Sequence, residues 1–235
     1  MVYFKQILSG VLFGLTAGAF APASATLVTV STANSPFHSQ YYSQGVWQDH
    51  GDVFHPNQDG RNVGRSGNIF WRGFYTFDLS NISGTILSAT LRVQRSEQTA
   101  DVNLGLWDVT TPAALVNNSI NINPAIYADL GSGVSYGNYD VASRPTNASF
   151  FDVLRFSLNA DGVRDVQAAT QFFTIGAALT NLDERHIFGY GYGQISYLDL
   201  EIADAADPSA AVPEPSSMAL LAIGMGGLLA RRRRR

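Results

Sequence analysis

A two-residue hydrophobic rhythm, broken by turn residues, sets the strongest limit on what this chain folds into. Residues 69–79 place Trp71, Tyr75, Phe77 and Leu79 on one face and Phe70, Arg72, Phe74, Thr76 and Asp78 on the other. That alternation fits the pleat of a strand and not the period of a helix. Leu87, Ala89, Leu91 and Val93 alternate with Ser88, Thr90 and Arg92, the pattern of a strand with one face in a core and one in water. Further strands are expected at 102–109, 151–158, 172–179 and 196–202, with a short one at 187–190. The Gly-, Ser- and Asn-rich stretch 131–139 reads as a polar loop. One helix is expected at 162–169, capped by Asn159 or Asp161, with Val163, Val166 and Ala169 or Thr170 on one side. Short antiparallel strands with one short helix predict a mostly β fold, an antiparallel two-sheet sandwich of jelly-roll type.

The two ends follow different rules. Lys5, an apolar stretch at 7–20 and then Ala23-Ser24-Ala25 form a signal peptide over 1–25, with signal peptidase cutting after Ala25. Ala23 and Ala25 are the small residues which that enzyme accepts. At the other end Pro213, Glu214 and Pro215 precede an uncharged run at 216–230 and then Arg231, Arg232, Arg233, Arg234 and Arg235. The prolines keep the backbone extended and free of helical hydrogen bonds, a form a protease can take into its cleft. As a helix the uncharged run would be about 22 Å long, short against a hydrocarbon layer of about 30 Å unless the bilayer thins or flanking groups snorkel. The arginines would hold the tip in the cytoplasm and leave the domain outside. The expected division is therefore signal peptide 1–25, β-sandwich 26–203, linker 204–212 and sorting tail 213–235, with a membrane span at 216–230 and a basic end at 231–235.

Between those ends lie nine arginines, no lysine and eighteen Asp and Glu residues, a net charge of −9 over 26–212. Such acidity repels phosphate backbones, so a nucleic-acid partner is not expected. The chain has no cysteine, which rules out disulfides, thiolate metal sites and a cysteine nucleophile and leaves stability to the core.

Residues 212–235 resemble the PEP-CTERM sorting tail of Gram-negative bacteria that make exopolysaccharide. The Pro213-Glu214-Pro215 motif, a Gly- and Leu-rich span (Gly224, Gly226, Gly227, Leu228, Leu229) and a terminal basic cluster stand in that family's order. The resemblance implies an exosortase-type membrane protease as partner, a transient stay in the inner membrane, and transfer to the cell surface or its polysaccharide matrix. Residues 72–80 with 86–93 resemble paired strands of DNRLRE-like jelly-roll modules, which implies the fold and hints at glycan binding.

The middle of the chain holds residues suited to three kinds of chemistry. The stretch 49–62 gathers Asp49, His50, Asp52, His55, Asp59 and Arg61. Asp49, Asp52 and Asp59 are its candidate metal ligands, calcium being the ion their oxygens would suit, but no helical HExxH and no complete calcium loop is present. It is read as a solvated turn region, and no cofactor is expected. A hydrolase needs a nucleophile with its base or two carboxylates across a cleft; no Gly-x-Ser-x-Gly elbow occurs and His186 has no visible partner, so no catalytic residue is assigned. Exposed aromatics could stack on sugar rings. Tyr41, Tyr42 and Trp47 are the candidates, whereas Trp71 and Trp107 are expected in the core and Tyr190 to Gly193 reads as an aromatic turn. The reading taken is a non-enzymatic exported protein of the surface or exopolysaccharide; a carbohydrate-binding module and a polysaccharide hydrolase are the alternatives.

Overall fold

The computed structural model describes residues 24–34, 43–50, 53–57, 62–98, 100–118, 123–143, 152–181, 187–190 and 195–204. Twelve strands lie within them: β1 (Ala25–Ser31), β2 (Gln44–His50), β3 (Val53–Asn57), β4 (Asn62–Ser66), β5 (Ile69–Asp78), β6 (Ile86–Gln98), β7 (Val102–Asp108), β8 (Ser135–Val141), β9 (Asp152–Ser157), β10 (Phe172–Leu179), β11 (Ile187–Tyr190) and β12 (Tyr197–Ala203). Three α-helices accompany them, α1 (Ala113–Asn118), α2 (Pro124–Asp129) and α3 (Ala160–Ala168), with one 3-10 turn at Thr32–Asn34. Every pairing among these strands is antiparallel.

Two long central strands organise the sandwich. Along β6, one edge carries β9 while the other is shared by β12 and then β11: Thr90 faces both Ser157 and Asp199, and Arg95 faces both Asp152 and Tyr190. β1 completes this layer on β12. Along β5, one edge carries the β2–β3 hairpin while the other is shared by β10 and then β4; β7 and β8 continue beyond β10. The β4–β11 pairing joins the two layers. Between them lies the main core, with Tyr75, Phe77, Leu91, Val93, Leu104, Leu106, Phe156, Ile175, Leu198 and Leu200 among its buried side chains.

The alternation in β5 survives in the fold, but both of its faces are covered. Trp71, Tyr75, Phe77 and Leu79 meet the main core, whereas Phe74 enters a second cluster with Trp47, Val116, Ile126 and Leu130, supplied by β2, α1 and the end of α2. Asn123 caps α2 by accepting from the amides of Ala125 and Ile126, and Pro124 occupies the position where a missing N–H costs nothing. Its last carbonyls, on Tyr127 and Ala128, accept from Nη1 of Arg72, whose guanidinium also lies 4.5 Å from the Tyr127 ring. Gly176 lets the helix end approach the sheet: a Cβ there would stand 2.6 Å from the Leu130 carbonyl oxygen.

The sequence expectations for 69–79, 102–109, 151–158, 172–179, 187–190 and 196–202 match strands within a residue or two, and the expected helix begins two residues early, capped by Asn159 as foreseen. Three expectations are corrected, two of them loops and the third the inward place of Leu87. The stretch read as a polar loop at 131–139 contains most of β8, and the stretch read as a turn region at 49–62 contains β3; in both, the ladder hydrogen bonds of a neighbouring strand outweigh a polar composition. β1, β2, β4, α1 and α2 were not foreseen. In β6 a bulge opposite Glu201 and Ile202 removes Leu87 from the ladder, so Ile86 turns inward and Leu87 stands 50% exposed.

Among the described residues no helix is long and apolar enough to cross a membrane. The expected signal and tail spans lie outside the described residues, as do the linker residues 205–212.

Candidate functional site

Of the aromatic residues proposed for sugars, Trp47 is corrected outright. It is 0% exposed and its indole N–H donates to the Val116 carbonyl at 3.0 Å, so its ring is walled in by the second core and cannot stack on a ligand. Tyr41 and Tyr42 lie outside the described residues. Trp71 packs against the main core as expected. Trp107 belongs to neither core cluster; its indole nitrogen lies above Gly105 on the outward face of β7. Asp49 sits half-buried in β2, while Asp52, Asp59 and His186 lie outside the described residues. Among the described residues no three Asp, Glu or His side chains converge as a metal site would require.

The first and last described residues of the domain, where the expected signal peptide ends and the expected linker begins, lie side by side. Ala25, the expected last residue of the signal peptide, pairs with Ala203 in the β1–β12 ladder. Ser24 and Thr26 donate hydroxyl hydrogen bonds to the two carboxylate oxygens of Asp204, at 2.5 and 2.6 Å, and the Asp204 amide donates to the Ser24 carbonyl. Those hydroxyls hold the Asp204 carboxyl below the usual carboxylate range. The α3 helix covers the same end of the sandwich, with Gln167 accepting from the Ile86 amide at the start of β6. Ala23, Pro213, Glu214, Pro215 and Arg231 to Arg235 fall outside the described residues.

The outward face of β1, β12, β6 and β9 bears a polar ladder. Asp199 accepts from Nε and Nη2 of Arg92, from Nη1 of Arg155 and from the Thr29 hydroxyl, all within 3.0 Å. Burial pushes the Asp199 carboxyl up, but these hydrogen bonds outweigh it and hold it below the usual range. The Arg92 guanidinium also lies 4.2 Å from the Tyr197 ring. Both arginines pair with Asp199 within the protein, which fits a solvated structural face.

Two cavities are lined by described residues. The first, near α3, is about 270 Å³ and is lined by Asp108, Asp165, Tyr136 and Phe173 among others. It brings two carboxylates to one cleft, the arrangement a hydrolase would need. Both are engaged, however: Asp108 accepts from the Val134 amide at 2.7 Å, and Asp165 accepts from the Tyr136 hydroxyl and from Arg164. Burial first, then the Asp165 and Asp108 charges, push the Tyr136 hydroxyl far up, which keeps it a neutral donor.

The second cavity, about 450 Å³, lies at the opposite end of the sandwich, between the edge strands β8 and β9. Arg95 continues the inward row of Ala89, Leu91 and Val93, and at 5% exposure its guanidinium is held by both Asp152 oxygens and the Ala142 carbonyl. Leu154, Phe156, Tyr139, Asp140, Ser143 and Arg155 also line it, but Asp140 accepts from the Asn103 side-chain amide at 2.7 Å and Arg155 donates to Asp199. Sequence reasoning missed this cluster, although a charged residue in the apolar register of β6 is a signal that could have found it.

No curated protein matches the chain. Among solved structures it is similar to the K1 cleaved adhesin domain of Lys-gingipain from Porphyromonas gingivalis W83, at 11% identity over 77% of this chain and 98% of that one; the TM-score of 0.25 gives that likeness no weight. Residues 211–235 match the family model for the PEP-CTERM protein-sorting motif, so the chain carries a bacterial signal that implies export and cell-surface sorting through an exosortase-type membrane protein.

Proposed function

We propose that this protein is a non-enzymatic β domain of a Gram-negative bacterium, exported by its signal peptide, held briefly in the inner membrane by residues 216–230, and passed to the cell surface or its exopolysaccharide once its tail is cut. One observation carries the proposal: the matched tail supplies, in order, an extended Pro-Glu-Pro segment, a short uncharged span and five arginines. That order leaves the domain outside and the tip inside. The pairing of Ala25 with Ala203 supports it, because signal peptide and tail then leave one end of the sandwich and both can address the same membrane.

The non-enzymatic reading is favoured over a hydrolase by the hydrogen bonds that occupy the carboxylates of both described clefts, Asp108 and Asp165 in one and Asp140 and Asp152 in the other. Fractionation of a chain tagged within the domain tests the proposal. The tagged domain is expected at the surface or in the medium, and with Pro213→Ala and Glu214→Ala it should accumulate in the inner membrane. A cytosolic product still bearing residues 1–25 would refute it.

A further inference from the structure

We propose that signal peptidase must cut the Ala25–Thr26 bond before β1 docks on β12, so that closure of the sandwich ends the interval in which the signal peptide can be removed. The proposal rests on the export reading and on its expected cleavage position.

The docked strand withholds the bond. Ala25 and Thr26 stand opposite Ala203 and Ile202 at the start of a ladder that runs on to Ser31. On either side of the bond, the hydroxyls of Ser24 and Thr26 donate to the same Asp204 carboxylate, and the Ser24 carbonyl accepts from the Asp204 amide at 3.0 Å. Beyond the tip, Val30 is buried in the main core and the Thr32 amide donates to the Ser196 carbonyl, which holds the strand in place. A protease takes its substrate as an extended segment through the backbone groups around the scissile carbonyl. Here the segment on both sides of that carbonyl is committed to β12, so cutting a folded chain requires the end of β1 to lift off first.

Topology supplies the interval. β1 and β12 are the first and last strands of the described fold, β1 pairs with β12 alone among them, and the Thr26–Asp204 contact spans 178 residues. A chain led across the membrane by its N-terminus presents Ala25 long before Tyr197–Ala203 arrives to cover it. At a synthesis rate of about 5–20 residues per second, those 178 residues take about 10–35 s.

The cut end also suits the docked strand. Hydrolysis adds water across the bond, leaving a carboxylate on the departing Ala25 and an ammonium on Thr26. That ammonium is three covalent bonds from the hydroxyl that Asp204 accepts, so the carboxylate gains a neighbouring cation in place of the Ser24 hydroxyl.

The test uses the full chain with residues 1–25 attached, purified in detergent and mixed with detergent-solubilised signal peptidase, the product being identified by mass. One sample is diluted from urea directly into the peptidase and one is folded beforehand. A third is folded with Leu27→Cys and Glu201→Cys joined as a disulfide across the ladder; these two residues are partners with exposed side chains, and the chain has no other cysteine. Melting temperatures near that of the unaltered chain establish that the double variant is folded. The freshly diluted chain is expected to be cut after Ala25, the folded chain at least tenfold more slowly, and the locked chain not measurably, with reduction of the disulfide restoring the rate of the folded chain. A folded or locked chain cut as fast as the diluted one, or a diluted chain not cut after Ala25, would overturn the proposal. Equal rates leave the fractionation result standing, and a cytosolic product in cells leaves the rate comparison standing.

Discussion

The two layers of the sandwich finish their outer faces in opposite ways. On the β5 layer, Phe74 and Trp47 point outward into a second core closed by α1 and α2, and Arg72 ties the helix end to the sheet. On the β6 layer, the outward positions are Thr29, Thr90, Arg92, Arg155 and Asp199, joined to one another and to water. One strand apolar on both sides thus recruits helices, while one with clean alternation keeps a solvated face. The difference predicts that equal numbers of lost contacts should cost far more on the first face than on the second.

Trp47→Ala should separate the faces most sharply. Its buried indole leaves a cavity and strands the Val116 carbonyl, so a loss of about 3–5 kcal/mol is expected in urea unfolding. A loss below about 1 kcal/mol would mean that α1 and α2 are not closing a core there. Gly176→Ala should follow, at about 1–3 kcal/mol, since a Cβ at 2.6 Å from the Leu130 oxygen forces the end of α2 off the sheet. Retention of full stability would show that the helix end yields without cost.

On the solvated face, Asp199→Asn should cost about 1–2 kcal/mol at neutral pH, because Arg92 and Arg155 lose a charged partner but keep access to water. The pH dependence has a definite sign. A carboxyl held below its ordinary value stabilises the fold fully above the unfolded pKa of about 3.9 and loses that contribution as pH falls through its lower folded value. Thermal melts from neutral to acid pH should therefore converge for the two proteins below about pH 4. A gap that persists in acid would assign the loss to packing and not to charge. Leu87→Ser should change stability by less than about 0.5 kcal/mol, since the bulge puts Leu87 in solvent; a larger loss would mean that the bulge is absent in solution.

Much of the fold was legible where one rule acted alone. The strands at 172–179 and 187–190 and the Asn159 cap followed from periodicity and capping. β8 was hidden because Gly137 and its polar neighbours read as a loop, and only the pairing with β7 makes them a strand. The inward turn of Ile86 depends on a bulge that the sequence does not announce. The site was less legible still: Trp47 looked exposed because its neighbours are polar, and the helices that cover it come from residues 113–130, far along the chain. Arg95 and Asp152 stand 57 residues apart and meet only through the β6–β9 register. The sorting motif at the C-terminus was readable, because its Pro-Glu-Pro segment, uncharged run and arginines lie in order along 25 residues.

Intact-mass spectrometry of the protein recovered from the cell surface tests the central claim most directly. The account predicts a chain that starts at Thr26 and ends within the tail, having lost the basic tip at 231–235. A surface protein with the mass of all 235 residues would contradict it.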